Sequence, residues 1–180
     1  MRVVAIVGMP GAGKSEVAKV FEEDGFSRIR FGDLTDEEIK KRDLKLNEEN
    51  ERYIREILRR DYGMAAYAKL SLPRINSALE YSSVVVDGLY SWEEYNLLKE
   101  YYGEDFGVVA VWASPKIRYA RLTGRGSRKL TLEEALSRDR AELENLSKAG
   151  PIAMADFTIL NESSLKNLRK ETKKIITKLG

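Results

Sequence analysis

Residues 8–15, Gly8-Met9-Pro10-Gly11-Ala12-Gly13-Lys14-Ser15, carry the spacing G-x-x-x-x-G-K-[ST] directly after a short apolar run. The chemistry served by that spacing is phosphate binding. Glycines let the backbone curl until successive N–H groups face one anion, and the helix that follows turns its positive end toward the same point. Lys14 is placed to reach the terminal phosphates of a nucleoside triphosphate, and Ser15 to ligate Mg²⁺. All eight residues, with Val17 a turn later, are expected to line the cofactor. A strand-to-helix turn that bound nothing would need one glycine and have no use for Lys-Ser.

Two further groups have the types needed to complete a phosphate chemistry. Asp87 closes a β-branched run, where a carboxylate can hold a metal-bound water, and Asp33 follows a weaker strand, where it can orient or deprotonate an acceptor hydroxyl. Either can also be an ordinary turn or cap aspartate, a reading that weighs more on Asp33 than on Asp87. Tyr90, two after Asp87-Gly88, is the tyrosine placed to line the same crevice; most of the others read as half-buried packing residues. The stretch from Lys116 to Lys129 holds six basic residues and no acidic one. Arg121 and Arg125 are four apart and share a helix face, so both can point at one polyphosphate, and the glycines around Arg125 allow a hinged lid.

The elements that must position these residues follow from periodicity. Val3–Val7 reads as a buried strand and Glu16–Glu23 as the helix after it. Phe26–Phe31 reads as a second strand ended by Gly32-Asp33, and Thr35-Asp36-Glu37-Glu38 has the form of a capping box opening a helix. A long helical stretch follows, with Asn47 starting its main helix and Pro73 expected as a kink or break. Val84–Val86 reads as a strand buried on both faces, Ser91-Trp92-Glu93-Glu94 as a second capping box, and Val108–Trp112 as the next strand. Ser114-Pro115 opens a helix toward Gly124, Thr131-Leu132-Glu133-Glu134 caps another to about Ser147, and a last strand over Asp156–Leu160 precedes the C-terminal helix. This alternation predicts a three-layer α/β/α fold on a five-stranded parallel sheet. Ligands in such folds sit at the carboxyl ends of the strands, which gathers Gly8, Asp33, Asp87, Ser114 and Asn161 around one crevice. The organisation expected is a single domain over 1–180, with a core of 1–34, 82–117 and 132–180, a helical acceptor-binding insertion over about 35–81 and a short basic lid over about 118–131.

Composition removes several alternatives. Of 180 residues 43% are apolar and 33% charged, with a net charge of +2, so obligatory nucleic-acid binding is not expected on charge grounds. The absence of cysteine and histidine excludes disulfides, thiolate or imidazole metal sites and Ser-His catalysis, which leaves carboxylate, lysine or tyrosine as proton acceptors. No signal peptide or membrane span is read, so the cytoplasm is the expected location. Abundant Lys, Glu and Arg fit a thermophile.

The order of motifs resembles the P-loop nucleotide kinases, adenylate kinase and dephospho-CoA kinase above all, and in particular an archaeal family of adenylate-kinase-related P-loop proteins. Gly8–Ser15 is similar to the family's phosphate loop, Phe31-Gly32-Asp33 to the Gly-Asp after its second strand, and Val86-Asp87-Gly88 to the Asp-Gly after its third. Arg121-Leu122-Thr123-Gly124-Arg125 resembles the lid entry, which implies that Arg121 stacks on the base and Arg125 meets the donor phosphates. Arg128-Lys129 and Arg138 or Arg140 resemble the arginines that bridge donor and acceptor, and Ala155-Asp156 through Asn161 resembles the last strand of dephospho-CoA kinases. The departures fall on the acceptor side: Asp36 stands where adenylate kinases grip the acceptor phosphate with arginine, Leu89-Tyr90-Ser91 replaces Phe-Pro-Arg, and Leu130-Thr131 replaces Asp-Asp. The resemblance implies ATP (or GTP) and Mg²⁺ as cofactors, and phosphoryl transfer with Lys14, Asp33, Arg121 and Arg125 as catalytic residues. It implies Ser15 and Asp87 at the metal, and Asp33, Asp87, Tyr90, Arg128 and Arg138 toward a small-molecule acceptor. A nucleotide-binding regulator or slow NTPase is the alternative favoured by the missing acceptor arginines; an RNA-associated module using the basic stretch is a third, weakened by its single aromatic residue, Tyr119.

Overall fold

The computed structural model describes residues 1–179. Five strands, β1 (Val3–Val7), β2 (Ser27–Arg30), β3 (Val84–Asp87), β4 (Phe106–Trp112) and β5 (Phe157–Leu160), form one sheet in the order β2-β3-β1-β4-β5, and every pairing is parallel. Parallel neighbours need a crossover, and here helices supply it. They are α1 (Lys14–Glu23), α2 (Gly32–Lys41), α3 (Glu48–Tyr62), α4 (Ala66–Leu79), α5 (Trp92–Tyr102), α6 (Pro115–Thr123), α7 (Leu132–Glu144), α8 (Ala149–Ala153) and α9 (Leu165–Leu179).

Because side chains alternate across a strand, the continuous apolar runs split into two cores. Val3, Ala5, Val7, Val84 and Val86 pack with Ile54, Tyr67, Ile75, Tyr95 and Leu98 from α3, α4 and α5 on one face. Val4, Ile6, Val85 and Val109 pack with Val17, Phe21, Leu168 and Ile175 from α1 and α9 on the other. Burying each such side chain contributes about 1.5–3 kcal/mol, which fixes the sheet between two helical layers. With order reversing on either side of β1, the carboxyl end of that strand is the switch point where a ligand crevice opens.

Both capping boxes at Ser91 and Thr131 form, and Asn47 caps α3 by accepting from the Asn50 N–H at 2.8 Å. Thr35 does not cap: α2 already starts at Gly32, straight from β2, and places Asp33 in its first turn, where a carboxylate faces the positive helix end. The Thr35 hydroxyl is buried instead at 2.7 Å from the Tyr67 hydroxyl. Pro73 lies inside α4 without ending it; the break falls earlier, at Gly63, whose φ of 84° suits a residue without a side chain. The helix after Thr131 stops at Glu144, and the chain adds the short α8 before β5.

Candidate functional site

β1 delivers the chain into the phosphate loop, which curls so that the Ala12 N–H donates to the Met9 carbonyl at 3.1 Å. Gly13 adopts φ 105°, ψ 19° as the residue before α1, so the first-turn N–H groups of Lys14 and Ser15 have no intrahelical acceptor and face outward as anion donors. Close packing explains the glycines. A β-carbon on Gly11 would lie 2.7 Å from the Arg118 carbonyl oxygen, and one on Gly13 2.3 Å from Asn161 Nδ2. Lys14 Nζ donates to the Gly8 and Met9 carbonyls at 2.8 and 3.2 Å. Desolvation, then the nearby Lys148 ammonium, pulls its pKa from 10.5 down to about 7. A cation so poorly solvated gains most from a phosphate.

The loop is braced from behind. Arg118 is buried and donates to the Pro10 carbonyl at 3.0 Å, to the Ala113 carbonyl at 3.2 Å and to both carboxylate oxygens of Asp139 at 2.9 and 2.6 Å. Asn161 Nδ2 donates to the Ala12 carbonyl at 2.8 Å, and Arg121 Nη2 to the Asn161 carbonyl at 2.8 Å. Beside these residues a cleft of about 580 Å³ is lined by Gly11, Gly13, Arg121, Arg125, Asn161 and Leu165.

A second cavity of about 520 Å³ opens between α2, α3 and α7. Its walls are a lattice of ion pairs. Asp36 accepts from Arg30 at 2.8 Å and Arg128 at 2.7 Å, Glu51 lies 3.2 Å from Arg128, and Glu48 bridges Arg55 at 2.6 Å and Arg138 at 2.9 Å. Arg138 continues to Glu142 at 3.4 Å, and Glu142 pairs with the fully buried Lys148, whose ammonium lies 5.3 Å from the centroid of Tyr90. Burial alone would raise the Glu142 pKa, but Lys148, Arg138 and Lys14 outweigh it and hold the carboxyl at about 2. Burial pushes the Tyr90 phenol well above its usual range. The lattice thus links the helices that follow β2 to the lysine of the phosphate loop.

The expected site residues are therefore partly regrouped. Gly8–Ser15, Arg121, Arg125 and Asn161 do gather at the carboxyl ends of the strands, and Tyr90, Arg128 and Arg138 line the second cavity. Arg121 and Arg125 do not share a helix face, because α6 ends at Thr123; they meet across the cleft from helix and loop. Val17 is completely buried against the α9 side of the core and presents no group to a ligand. Asp33 lines neither cavity: its carboxylate accepts from Arg30 at 2.7 Å. Asp87 is buried with one oxygen 2.5 Å from Arg28, so that oxygen is already committed. The basic stretch is less available than its composition implied, since Arg118 and Arg128 are neutralised by Asp139, Asp36 and Glu51. Lys148, Glu142 and Asp139 carry no local signal; they lie in segments that read as ordinary amphipathic helix.

The donor set suits Mg²⁺. Ser15 is exposed in the first turn of α1 beside the open N–H groups. Among the described residues no group of three or more His, Cys, Asp or Glu side chains is arranged for a metal. Among the same residues no helix is long and apolar enough to cross a membrane.

Residues 4–144 match the family model described as an AAA domain. The chain is 36% identical over 181 residues to a UPF0200 protein of Thermococcus kodakarensis, covering 98% of this chain and 97% of the relative. Among solved structures it resembles a gluconokinase from Sinorhizobium meliloti 1021 (TM-score 0.64, 16% identity, 99% and 93% coverage). It also resembles a dephospho-CoA kinase from Campylobacter jejuni (TM-score 0.57, 17% identity, 99% and 97% coverage). At such identities the likeness is one of fold, an α/β P-loop kinase fold.

Proposed function

Since the chain belongs to the archaeal UPF0200 family and carries a P-loop kinase fold, we propose that it is a cytoplasmic ATP- or GTP-dependent phosphotransferase of the nucleotide-kinase type, acting on a small nucleotide-like acceptor. One observation supports this reading: the phosphate loop borders one cleft, and two charges lining a second cavity, Glu142 and Arg138, act on Lys14. A mere nucleotide sensor has no need of the second.

In this reading the donor base lies in the cleft beside Arg121 and the Asn161–Leu165 segment, and the phosphates lie on the N–H groups of the loop. Ser15 and, through water, Asp87 would hold Mg²⁺, which would supply charge neutralisation of the phosphates. Lys14 turns from its loop carbonyls to the transferring group, and Arg125 closes over it from the 124–131 segment, acting as a lid. The bond between the γ-phosphorus and the bridging oxygen breaks, a bond to the acceptor oxygen forms, the nucleoside diphosphate leaves, and where the acceptor is a hydroxyl its proton passes to solvent. Arg128, Arg138 and Tyr90 face the acceptor in the cavity formed with the helical insertion, while Asp33 positions Arg30. Most of the acceleration is positioning and electrostatics.

The test is a turnover assay with Mg-ATP or Mg-GTP against nucleoside monophosphates, nucleosides, dephospho-CoA and gluconate. Acceptor-dependent diphosphate release supports the kinase. Release that ignores every acceptor yet vanishes in Lys14→Ala identifies a slow NTPase, and binding without turnover identifies a regulator. That second reading draws on the carboxylates of Asp36, Glu48 and Glu51, which already occupy the arginines of the second cavity.

A further inference from the structure

The basic stretch from Lys116 to Lys129 spends Arg118 and Arg128 on carboxylates of the same chain, whereas the C-terminal helix turns its charge outward. α9 carries six basic residues, Lys166, Arg169, Lys170, Lys173, Lys174 and Lys178, against the single acid Glu171. The whole chain has a net charge of +2, so the remainder of the protein is net negative and the average hides one strongly positive surface. A solvated helix face ordinarily mixes the two signs.

The arrangement is as particular as the count. Leu168, Ile175, Ile176 and Leu179 hold α9 against the sheet, so its opposite face looks to solvent. Every fourth residue from Lys166 to Lys178 is a lysine, namely Lys166, Lys170, Lys174 and Lys178, and Lys173 stands beside the row; all five are exposed. At a rise of about 1.5 Å per residue the row extends about 18 Å, with an ammonium every ~6 Å. Little opposes it. Glu171 lies 2.8 Å from Lys174, and Glu23 of α1 pairs with Arg169 at the edge of the face. Lys166, Lys170 and Lys173 enter no ion pair among the described residues. Like charges four apart on a helix repel, and a bound polyanion relieves that repulsion.

The chemistry of the face selects among polyanions. Leu165 is the only large apolar residue that α9 exposes, so the helix has little to insert into a lipid surface. The face has no aromatic or methionine anchor of the kind around which protein interfaces are built, and lysine is depleted from such interfaces. Without aromatic rings it offers unpaired bases nothing to stack on. What remains is a row of point charges, suited to phosphates and blind to base sequence.

We propose that the lysine row of α9 is a docking surface for the sugar-phosphate backbone of a nucleic-acid duplex, held without regard to sequence and with DNA and RNA accepted alike. This docking needs no phosphoryl transfer. α9 lies with α1 on the face of the sheet opposite α3, α4 and α5, so a bound duplex leaves the second cavity clear. The row starts next to Leu165, which lines the donor cleft, so the duplex approaches the nucleotide site without occupying it.

The experiment follows the fluorescence anisotropy of labelled duplexes of roughly 20 base pairs, one of DNA and one of RNA, mixed with the full chain at about 50 to 200 mM KCl, with and without excess Mg-ADP. Saturable binding whose log K falls against log salt with a slope of about −4, as four or five phosphate contacts give, supports the proposal when the two duplexes agree within a few-fold and Mg-ADP has no larger effect. Lys170→Gln, Lys173→Gln and Lys174→Gln combined should weaken binding at least about tenfold and bring the slope to about −1, whereas arginine at the same three positions should keep both. Should the triple glutamine variant fail to fold, each single variant still decides by lowering the slope by about 1. No binding at about 50 mM KCl overturns the proposal. So does binding that survives unchanged in the glutamine variants, which moves the duplex to the 116–129 segment, or binding that Mg-ADP displaces, which moves it to the phosphate loop. Polyglutamate or phosphatidylserine vesicles that bind through Lys170 while both duplexes do not identify an acidic protein or a membrane as the partner, and overturn it as well.

Discussion

Arg118 and Asp139 form a two-pronged ion pair, 2.9 and 2.6 Å, with the arginine 5% and the aspartate 7% exposed, and the same guanidinium holds the Pro10 carbonyl of the phosphate loop. Removing one partner of a buried pair leaves the other charge uncompensated, so Asp139→Ala should cost about 3–5 kcal/mol of unfolding free energy in urea titrations. A paired apolar replacement, Arg118→Met with Asp139→Leu, should recover much of that stability but not ATP affinity, because nothing then restrains Pro10. Equal recovery of both would show that the pair braces α6 and α7 and leaves the loop alone.

Lys14 makes nucleotide binding pH-dependent. With its folded pKa lowered from 10.5 to about 7, Lys14 is neutral in the free protein between those values while the unfolded chain keeps the proton. The unfolded state therefore binds more protons, and this group's contribution to stability rises with pH across that window. A triphosphate recruits the proton back, so ATP affinity should fall as pH rises above about 7, and calorimetry in buffers of different ionisation enthalpy should detect proton uptake on binding. Lys14→Met should abolish that uptake; uptake of the same size in the variant would place the titrating group elsewhere.

Glycine at position 13 meets a steric limit. Its φ of 105° is costly for any residue with a β-carbon, and that carbon would lie 2.3 Å from Asn161 Nδ2. Gly13→Ala should lose ATP binding by far more than Gly25→Ala, whose added carbon meets nothing within 4 Å although its φ is 94°. The comparison separates backbone strain, common to both, from the clash specific to the loop; comparable losses would make strain the whole effect.

The sheet, its parallel order and the phosphate loop were legible because their signals are local. A β-branched run such as Val84–Val86 and the loop Gly8–Ser15 each carry their meaning within eight residues. The ion-pair lattice of the second cavity was legible only in part: the motif order pointed to Arg128 and Arg138, but their partners Asp36, Glu48 and Glu142, with Lys148, lie in separate segments whose charges look like solvated helix until the fold brings them together. Asp33 and Thr35 misled for the opposite reason: a turn signal and a capping box were both present, but the chain leaves β2 directly into α2 and spends them differently. The basic segment from Lys116 onward was read by composition, and composition does not show that Arg118 faces inward to Asp139.

Glu142 sets the acid limit of stability. Its folded pKa of about 2 lies below the ordinary 4.5 because Lys148, Arg138 and Lys14 outweigh the cost of burial, so the stability it contributes is present above 4.5 and is lost as pH falls from there toward 2. Glu142→Gln should flatten the urea midpoint against pH over that interval and lower it at neutral pH, where Lys148 loses its buried counter-ion. An unchanged acid limb would transfer the effect to another carboxylate.

In the proposed reaction Lys14 and Arg125 both serve the donor, and they should separate kinetically. Lys14 is bonded to the loop carbonyls and stands beside the phosphates before any lid moves, so Lys14→Ala should weaken nucleotide binding and lower turnover together. Arg125 lies exposed past the end of α6 in a glycine-flanked loop on the rim of the donor cleft. Its contacts form only on closure, so Arg125→Ala should leave ATP affinity within a few-fold and reduce kcat by on the order of 10² or more, as for the loss of a transition-state charge contact. Wild-type kcat in Arg125→Ala would remove the 124–131 loop from the chemistry, and a loss confined to affinity would make Arg125 a ground-state anchor like the loop itself.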